Sequence, residues 1–213
     1  FHCGEEGVRR DQALVEDLDH HVVQPDAQRE REALRETQHL TVLVADRGRN
    51  CFSSEVGDGQ VLDPAVRCVV LTGAGDRAFC AGADLREIAA GRVRELVTRE
   101  GGFAGFVRAP RAKPWIAAAD GPALAGGTEI LLACDMAVIS DAATMGLPEV
   151  KRGLAALAGG LYRLPRALPR ALALELIATG DPITAERALA YGLVNRVVPK
   201  GEALAAALAL AAR

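Results

Sequence analysis

The residues best suited to chemistry in this sequence are two glutamates, Glu129 and Glu149, in a stretch that is otherwise mostly apolar or neutral. A carboxylate loses hydration free energy wherever it leaves water, so two of them in such a stretch indicate a function. The pair Gly126-Gly127 comes just before a predicted helix over 128–134, and helix starts leave backbone N–H groups free to bind an anion. Carboxylates beside free N–H donors indicate acid–base chemistry on a carbonyl compound.

Histidine placement narrows the choice of general base. The four histidines all lie within the first 39 residues, and the sequence contains no GxSxG motif. A histidine-based triad is therefore not expected in the remainder of the chain. Any general base there must be a carboxylate, a lysine, a tyrosine or a cysteine.

Composition favours one domain without a nucleic-acid or membrane function. The chain has 213 residues, of which 50% are hydrophobic and 4% aromatic, so Ala, Val, Leu and Ile must build the core. The net charge of −3 lacks the basic excess of a nucleic-acid-binding protein. No apolar run reaches the roughly 18 residues of a membrane span, and the first residues are too charged for a signal peptide.

Cysteine usage favours a reducing compartment. The five cysteines are scattered, with no CxxC pair and no metal-ligand spacing (Cys3, Cys51, Cys68, Cys80 and Cys134). We therefore predict reduced thiols, a cytoplasmic protein and no metal site.

The order of predicted elements favours an α/β fold. Residues 1–38 are dense in charge and stay unassigned, as a solvated, partly disordered or weakly helical lead-in, whereas residues 39–213 are predicted to form the core that carries both glutamates. Strands are predicted over 41–45, 66–72, 115–119, 136–139 and 193–198, and helices over 85–96, 103–107, 128–134, 160–179, 184–191 and from 202 onward. Strands that alternate with helices are typical of α/β proteins.

A loop of small residues, Ala78–Leu85 (AFCAGADL), follows the strand at 66–72. Its Gly82 would let the backbone approach a ligand closely, although an ordinary strand-to-helix turn is an alternative. The glycine pair could likewise serve helix–strand packing, and either glutamate could be a surface or capping residue. Each feature is ambiguous when it is taken alone.

Four segments together resemble the enoyl-CoA hydratase/isomerase (crotonase) superfamily. They are VVLTGAGDRAFCAGADLREI (69–88), KPWIAAADGPALAGGTEILLACDMAVIS (113–140), LPEVKRGL (147–154) and ITAERALAYGLVNRVVP (183–199). The resemblance covers residues 64–213 almost without a gap. It implies an α/β, crotonase-type spiral of ββα units with a helical C-terminal part that is truncated here.

The resemblance also implies the roles of individual residues. The backbone N–H groups of Ala83 and Gly126 would form an oxyanion hole for a thioester carbonyl. Glu129 and Glu149 would be the catalytic acid and base. The substrate is then a coenzyme A thioester, and its thioester group accepts the electron density that develops during the reaction. The resemblance therefore implies no cofactor and no metal.

Contacts with coenzyme A and substrate are implied for a short set of residues: Ala81, Ala83, Asp84, Leu85, Arg86 and Gly126. Asp84 is also placed to cap the helix that begins at Leu85, and we favour that role over a third catalytic acid. Arg86 could bind a phosphate or could be an exposed helix residue.

The activity implied is the syn addition of water to a trans-2-enoyl-CoA, giving a 3-hydroxyacyl-CoA in fatty acid metabolism. The run at 147–154 with Gly159-Gly160 also suits a carnitinyl-CoA-dehydratase-like lyase, and double-bond isomerisation is another possibility. A rival of another class is an inactive member, or one that only binds acyl-CoA. A homotrimer, or a hexamer built as a dimer of trimers, is the assembly implied.

The two ends of the chain depart from the family pattern. A degenerate first unit is predicted at 41–56, with Asn50-Cys51 at the family's Asn-Ala position, and 57–62 replaces the expected helix. The chain ends at Arg213, before the further helices of the family. We expect an incomplete or frame-disturbed gene product around a sound catalytic core, which the neighbouring reading frames would test.

Overall fold

A six-stranded mixed sheet is the centre of the fold. The computed structural model describes residues 40–45, 52–54, 66–74, 77–83 and 85–213. The strands are β1 (Leu40–Ala45), β2 (Phe52–Ser54), β3 (Cys68–Gly73), β4 (Val97–Thr98), β5 (Gly102–Phe103), β6 (Trp115–Ala119), β7 (Ala123–Leu124), β8 (Met136–Ser140), β9 (Thr144–Gly146), β10 (Ile183–Thr184) and β11 (Arg196–Val198). The strand order in the large sheet is β11-β8-β6-β3-β1-β2. Strands β3, β6, β8 and β11 run parallel, whereas β1 is antiparallel to both of its neighbours.

Helices separate the parallel strands, as the predicted alternation requires. They are α1 (Leu85–Ala89), α2 (Gly126–Ala133), α3 (Gly160–Ala167), α4 (Arg170–Thr179), α5 (Ala185–Ala190) and α6 (Ala203–Ala211). Among the described residues, 3₁₀ helices cover Val93–Leu96 and Pro148–Arg152. The predicted α/β class is therefore confirmed.

Alternate residues of the central strands pack against opposite faces of the sheet. One set, which includes Val70, Ile116 and Val138, packs with Ala207 of α6 in a small apolar cluster. The other set, which includes Leu71 and Ile139, belongs to the main core. Successive side chains of a strand point to opposite faces of the sheet, and both faces are buried here. These strands are therefore apolar at nearly every position.

A second, three-stranded sheet lies beside the large one. Strand β7 pairs with β9 in parallel, with Ala123 opposite Met145 and Leu124 opposite Gly146. Strand β10 pairs with β9 antiparallel. Since α2 follows β7 and the 3₁₀ helix at 148–152 follows β9, this small sheet positions the segments that carry both glutamates.

Three predicted helices were wrong in extent or type. The helix predicted over 85–96 ends at Ala89, and a turn then leads into the 3₁₀ helix Val93–Leu96. The helix predicted over 103–107 is absent, because Phe103 belongs to the β4–β5 hairpin and turns follow it. The helix predicted over 160–179 is interrupted at Leu168-Pro169, since proline removes a backbone donor and fixes its own φ.

Several predictions fall outside the described residues. These are the charged segment 1–38, the Asn50-Cys51 position, the segment 57–62 and Asp84. Within the described residues, no helix is both long and apolar enough to cross a lipid bilayer. The three described cysteines, Cys68, Cys80 and Cys134, are all free thiols.

Candidate active site

Glu129 is a buried carboxylate in the first turn of α2. Only 3% of its surface is exposed. Its Oε1 accepts a hydrogen bond from the backbone N–H of Gly160 at 2.9 Å, across from the start of α3. The carboxylate is therefore held in place by a peptide group from a segment far away along the chain.

Burial raises the pKa of Glu129 to about 7, because the charged form loses water. The negative charge of Glu149 raises this pKa further, whereas the backbone N–H groups of Gly160 and Ala158 and the charge of Arg163 lower it. A carboxyl group with this pKa is present in both protonation states near neutral pH. Such a group can both accept and donate a proton.

Glu149 lies in the first turn of the 3₁₀ helix Pro148–Arg152 and is half-buried. Burial raises the pKa of Glu149 as well, and its own backbone N–H opposes the rise. Its Oε2 is buried but accepts no hydrogen bond from any described residue. A buried carboxylate oxygen normally has a partner, so this oxygen is well suited to bind a water molecule or a substrate group.

Two hydrogen-bonded contacts fix the separation of the segments that carry the glutamates. The backbone N–H of Ala125 donates to the Gly146 carbonyl at 2.9 Å. The Thr128 hydroxyl oxygen lies 2.8 Å from the same carbonyl and accepts the Gly146 N–H at 3.0 Å. Since Thr128 is only 1% exposed, water does not compete for these bonds, and α2 is firmly joined to β9.

The start of α2 lies against residues 78–83, the described part of the small-residue loop. Gly82 has φ +99°, and a Cβ placed on it would lie 2.9 Å from the Gly126 nitrogen. A Cβ on Gly126 would in turn lie 3.3 Å from the Gly82 Cα and would overlap the Phe103 ring. The absence of both side chains lets the two backbones approach this closely.

Ala125, which precedes α2, has φ 51° and ψ −125°, a backbone conformation that non-glycine residues rarely adopt. This conformation turns the chain sharply from β7 into the helix. The first N–H groups of α2 have no intrahelical carbonyl partner, as at any helix start. They are therefore available to bind a partial negative charge at this position.

The structure brings most of the predicted site residues together. The loop with Ala81 and Ala83, both half-buried, lies beside Gly126 at the start of the helix that carries Glu129. Glu149 acts electrostatically on Glu129. Leu85 is half-buried and Arg86 is exposed, on the short helix α1 that follows the loop.

Sequence reasoning missed several residues that shape the site. Gly160 belongs to a glycine pair at a predicted helix start, but no sequence pattern indicates that its N–H binds Glu129. Thr128 and Phe103 carried no signal beyond their ordinary types. No group of three or more candidate metal ligands occurs within the part of the chain that the structure describes.

The arrangement can therefore perform proton transfer beside a polarised carbonyl group. It offers two carboxyl groups with raised pKa values, one of them with a buried, unpartnered oxygen. A helix start and a close-packed glycine loop lie next to them.

Comparison with known proteins relates this arrangement to one family. The family profile described as enoyl-CoA hydratase/isomerase matches residues 61–213. A carnitinyl-CoA dehydratase of Proteus mirabilis is 43% identical over 150 residues, which is 70% of this chain and 58% of that protein. The chain thus spans little more than half the length of this relative.

Solved structures agree with the profile match. An enoyl-CoA hydratase from Mycobacterium marinum is 51% identical with a TM-score of 0.67, over 70% of this chain and 58% of that one. A carnitinyl-CoA dehydratase from Mycobacterium avium is 53% identical with a TM-score of 0.66, over 70% of this chain and 59% of that one.

Proposed function

The chain belongs to the enoyl-CoA hydratase/isomerase family, and from this premise we propose that it adds water to a trans-2-enoyl-CoA, giving a 3-hydroxyacyl-CoA. The observation that carries the proposal is the pair formed by the buried Glu129 and the half-buried Glu149. Their pKa values are raised, and Glu149 has a buried oxygen without a hydrogen-bond partner. These properties suit carboxyl groups that hold and exchange protons with a water molecule.

The thioester carbonyl would bind between the backbone N–H groups of Ala83 and Gly126. Support comes from the contact of Gly82 with Gly126, which keeps these two donors near each other. As the reaction proceeds, negative charge develops on the carbonyl oxygen. Two preorganised donors stabilise that charge, and each contributes roughly 3–4 kcal/mol in comparable oxyanion holes.

Proton transfer would then be shared by the two glutamates. One carboxylate accepts a proton from water while the water oxygen bonds to C3, and the C2=C3 electron pair moves towards the thioester. A protonated carboxyl group then delivers a proton to C2. The negative charge of Glu149 helps to raise the pKa of Glu129, which favours the protonated form of Glu129 while Glu149 is ionised.

No separate cofactor is required in this scheme, because the thioester itself accepts the electron density. Coenzyme A would contact Ala81, Asp84, Leu85 and Arg86 on the loop that leads into α1. We also propose the cytoplasm, fatty acid metabolism and a homotrimer, or a dimer of trimers, as the setting. The free thiols of the described cysteines and the family membership support that part of the proposal.

The proposal is tested with purified protein and crotonyl-CoA. Hydration removes the conjugated enoyl thioester, so its ultraviolet absorbance should fall with time and with enzyme concentration. Double-bond isomerisation would leave no 3-hydroxyacyl product by chromatography. Binding of crotonyl-CoA without any product would favour a member that only binds acyl-CoA, and would contradict the proposed hydratase activity.

A carnitinyl-CoA dehydratase activity is the second candidate. It is favoured by the relatives of that description from Proteus mirabilis and Mycobacterium avium, at 43% and 53% identity. Incubation with carnitinyl-CoA should then produce enoyl thioester absorbance. The ratio of kcat/KM for the two substrates decides between the candidates.

A further inference from the structure

Arg163, on α3, joins two segments that border the site. Its Nη2 donates to the Val107 carbonyl at 2.6 Å, and its Nη1 donates to the Ala158 carbonyl at 3.2 Å. The side chain is half-buried, so water competes only weakly for these bonds. One guanidinium group thus connects the 104–109 turns to the segment that precedes α3.

The backbone leaves a space for this guanidinium group. Gly159 has φ +127°, and a Cβ placed on it would overlap Nη1 of Arg163. A glycine is therefore required at this position both for its backbone conformation and for the room that Arg163 occupies.

Both connected segments reach the site. The Ala158–Gly160 segment donates the Gly160 N–H to Glu129 at 2.9 Å. The other segment follows Phe103, whose ring lies against Gly126 at the start of α2. The two hydrogen bonds of Arg163 therefore connect the segment that binds the Glu129 carboxylate to the segment that packs beside the start of α2.

We propose that Arg163 is a positioning residue, which fixes the Gly160 peptide group that binds Glu129 and holds the Phe103–Val107 segment beside the start of α2. The inference rests on the proposed function, since it assigns a role in the same site. It concerns a residue that touches no reacting atom, because its contacts are with backbone carbonyls and with the Tyr162 ring, 4.8 Å from the guanidinium carbon.

The positive charge of Arg163 affects the pKa of Glu129, which a purely structural role of the side chain would leave unchanged. Among the described residues, Glu149 and Arg163 are the charged groups that act on Glu129, and they act in opposite directions. Loss of the positive charge should raise the pKa of Glu129 further. Lysine keeps the charge but lacks the planar fork that bonds two carbonyl groups at once.

The experiment compares Arg163→Met and Arg163→Lys with the matched control Arg166→Met. Arg166 is an exposed arginine of the same helix, whose Nη1 donates to the Tyr162 carbonyl and whose guanidinium carbon lies 5.5 Å from the Tyr162 ring. The pKa of Glu129 is measured by carboxyl ¹³C NMR, with Glu129→Gln to assign the signal. Steady-state kinetics with crotonyl-CoA supply kcat and KM.

We expect Arg163→Met to raise the pKa of Glu129, while Arg163→Lys and Arg166→Met leave it near the wild-type value. We expect Arg163→Lys to lower kcat about tenfold or more, since small misplacements of reacting groups cost that much. If Arg163→Met does not fold, Arg163→Gln supplies the neutral variant.

An unchanged Glu129 pKa in the neutral variant would overturn the inference, as would a wild-type kcat in Arg163→Lys. Should the wild-type protein prove inactive, the proposed hydratase function fails by itself. The NMR titration then still decides whether Arg163 acts on Glu129.

Discussion

Gly82 lies so close to Gly126 that a single methyl group on either residue would disturb the other. A Cβ on Gly82 would lie 2.9 Å from the Gly126 nitrogen. Two segments more than forty residues apart in the sequence therefore cross at the site in direct backbone contact, and we call this contact the crossing. The proposed oxyanion hole depends on this crossing, because its two N–H donors, those of Ala83 and Gly126, are set by it.

The crossing can be tested through Phe103. We expect Gly126→Ala to lower kcat/KM for crotonyl-CoA about tenfold or more, because the new methyl group overlaps the Phe103 ring and moves the donor. Phe103→Leu should restore part of the loss in the double variant, since it makes room. A double-mutant cycle measures the coupling. Strictly additive effects would contradict the contact.

Glu149→Gln tests the proton-transfer role. Glutamine keeps the shape of the side chain but cannot exchange the proton, so kcat should fall by at least about 100-fold. Crotonyl-CoA hydration measures the rate, and circular dichroism verifies the fold. The control is Glu175→Gln, at an exposed glutamate whose carboxylate lies 3.4 Å from Arg187. Equal rates for Glu149→Gln and the wild type would reject the role.

Glu129 should make stability depend on pH. Its folded-state pKa of about 7 lies above the value of roughly 4.3 for an unfolded glutamate, so the folded state binds the proton more tightly. The resulting stabilisation is complete below pH of about 4 and is lost as pH rises through 7.

Urea unfolding at pH 5 and pH 8 measures this effect. Relative to Glu129→Gln, the wild type should lose at most about 3 kcal/mol of unfolding free energy over that range. The amide can still accept the Gly160 N–H, which makes it a suitable neutral substitute. Parallel pH curves for the two proteins would contradict the raised pKa.

Thr128 should contribute to stability through its hydroxyl group. Thr128→Val preserves the shape but leaves the Gly146 N–H without its acceptor, so the unfolding free energy should fall by about 1–3 kcal/mol. Thr128→Ser keeps the hydroxyl group and should lose less. Urea denaturation compares the two variants, and a larger loss in Thr128→Ser would show that the methyl group matters more than the hydrogen bonds.

The sequence predicted those parts that depend on local pattern. Apolar runs located β3, β6 and β8, and glycine pairs located the starts of α2 and α3. The β4–β5 hairpin was not predicted, because its strands have two residues each and show no alternation of polar and apolar residues. A short stretch of apolar and small residues is equally compatible with a helix.

The long-range contacts of the site could not be predicted from pattern. The bond from Gly160 to Glu129 and those from Arg163 to Val107 and Ala158 join residues whose types permit many other partners. The pairing of the Ala83 loop with Gly126 was predicted from the family resemblance, because the hydrophobic pattern of the sequence does not indicate it.

The small sheet has a consequence for thermal motion. Strands β7 and β9 are hydrogen-bonded neighbours, and each leads within a few residues to one of the glutamates. Fluctuations that displace one strand must displace the other, so Glu129 and Glu149 should move together as one rigid unit. The separation of these two carboxyl groups is then preserved through such fluctuations.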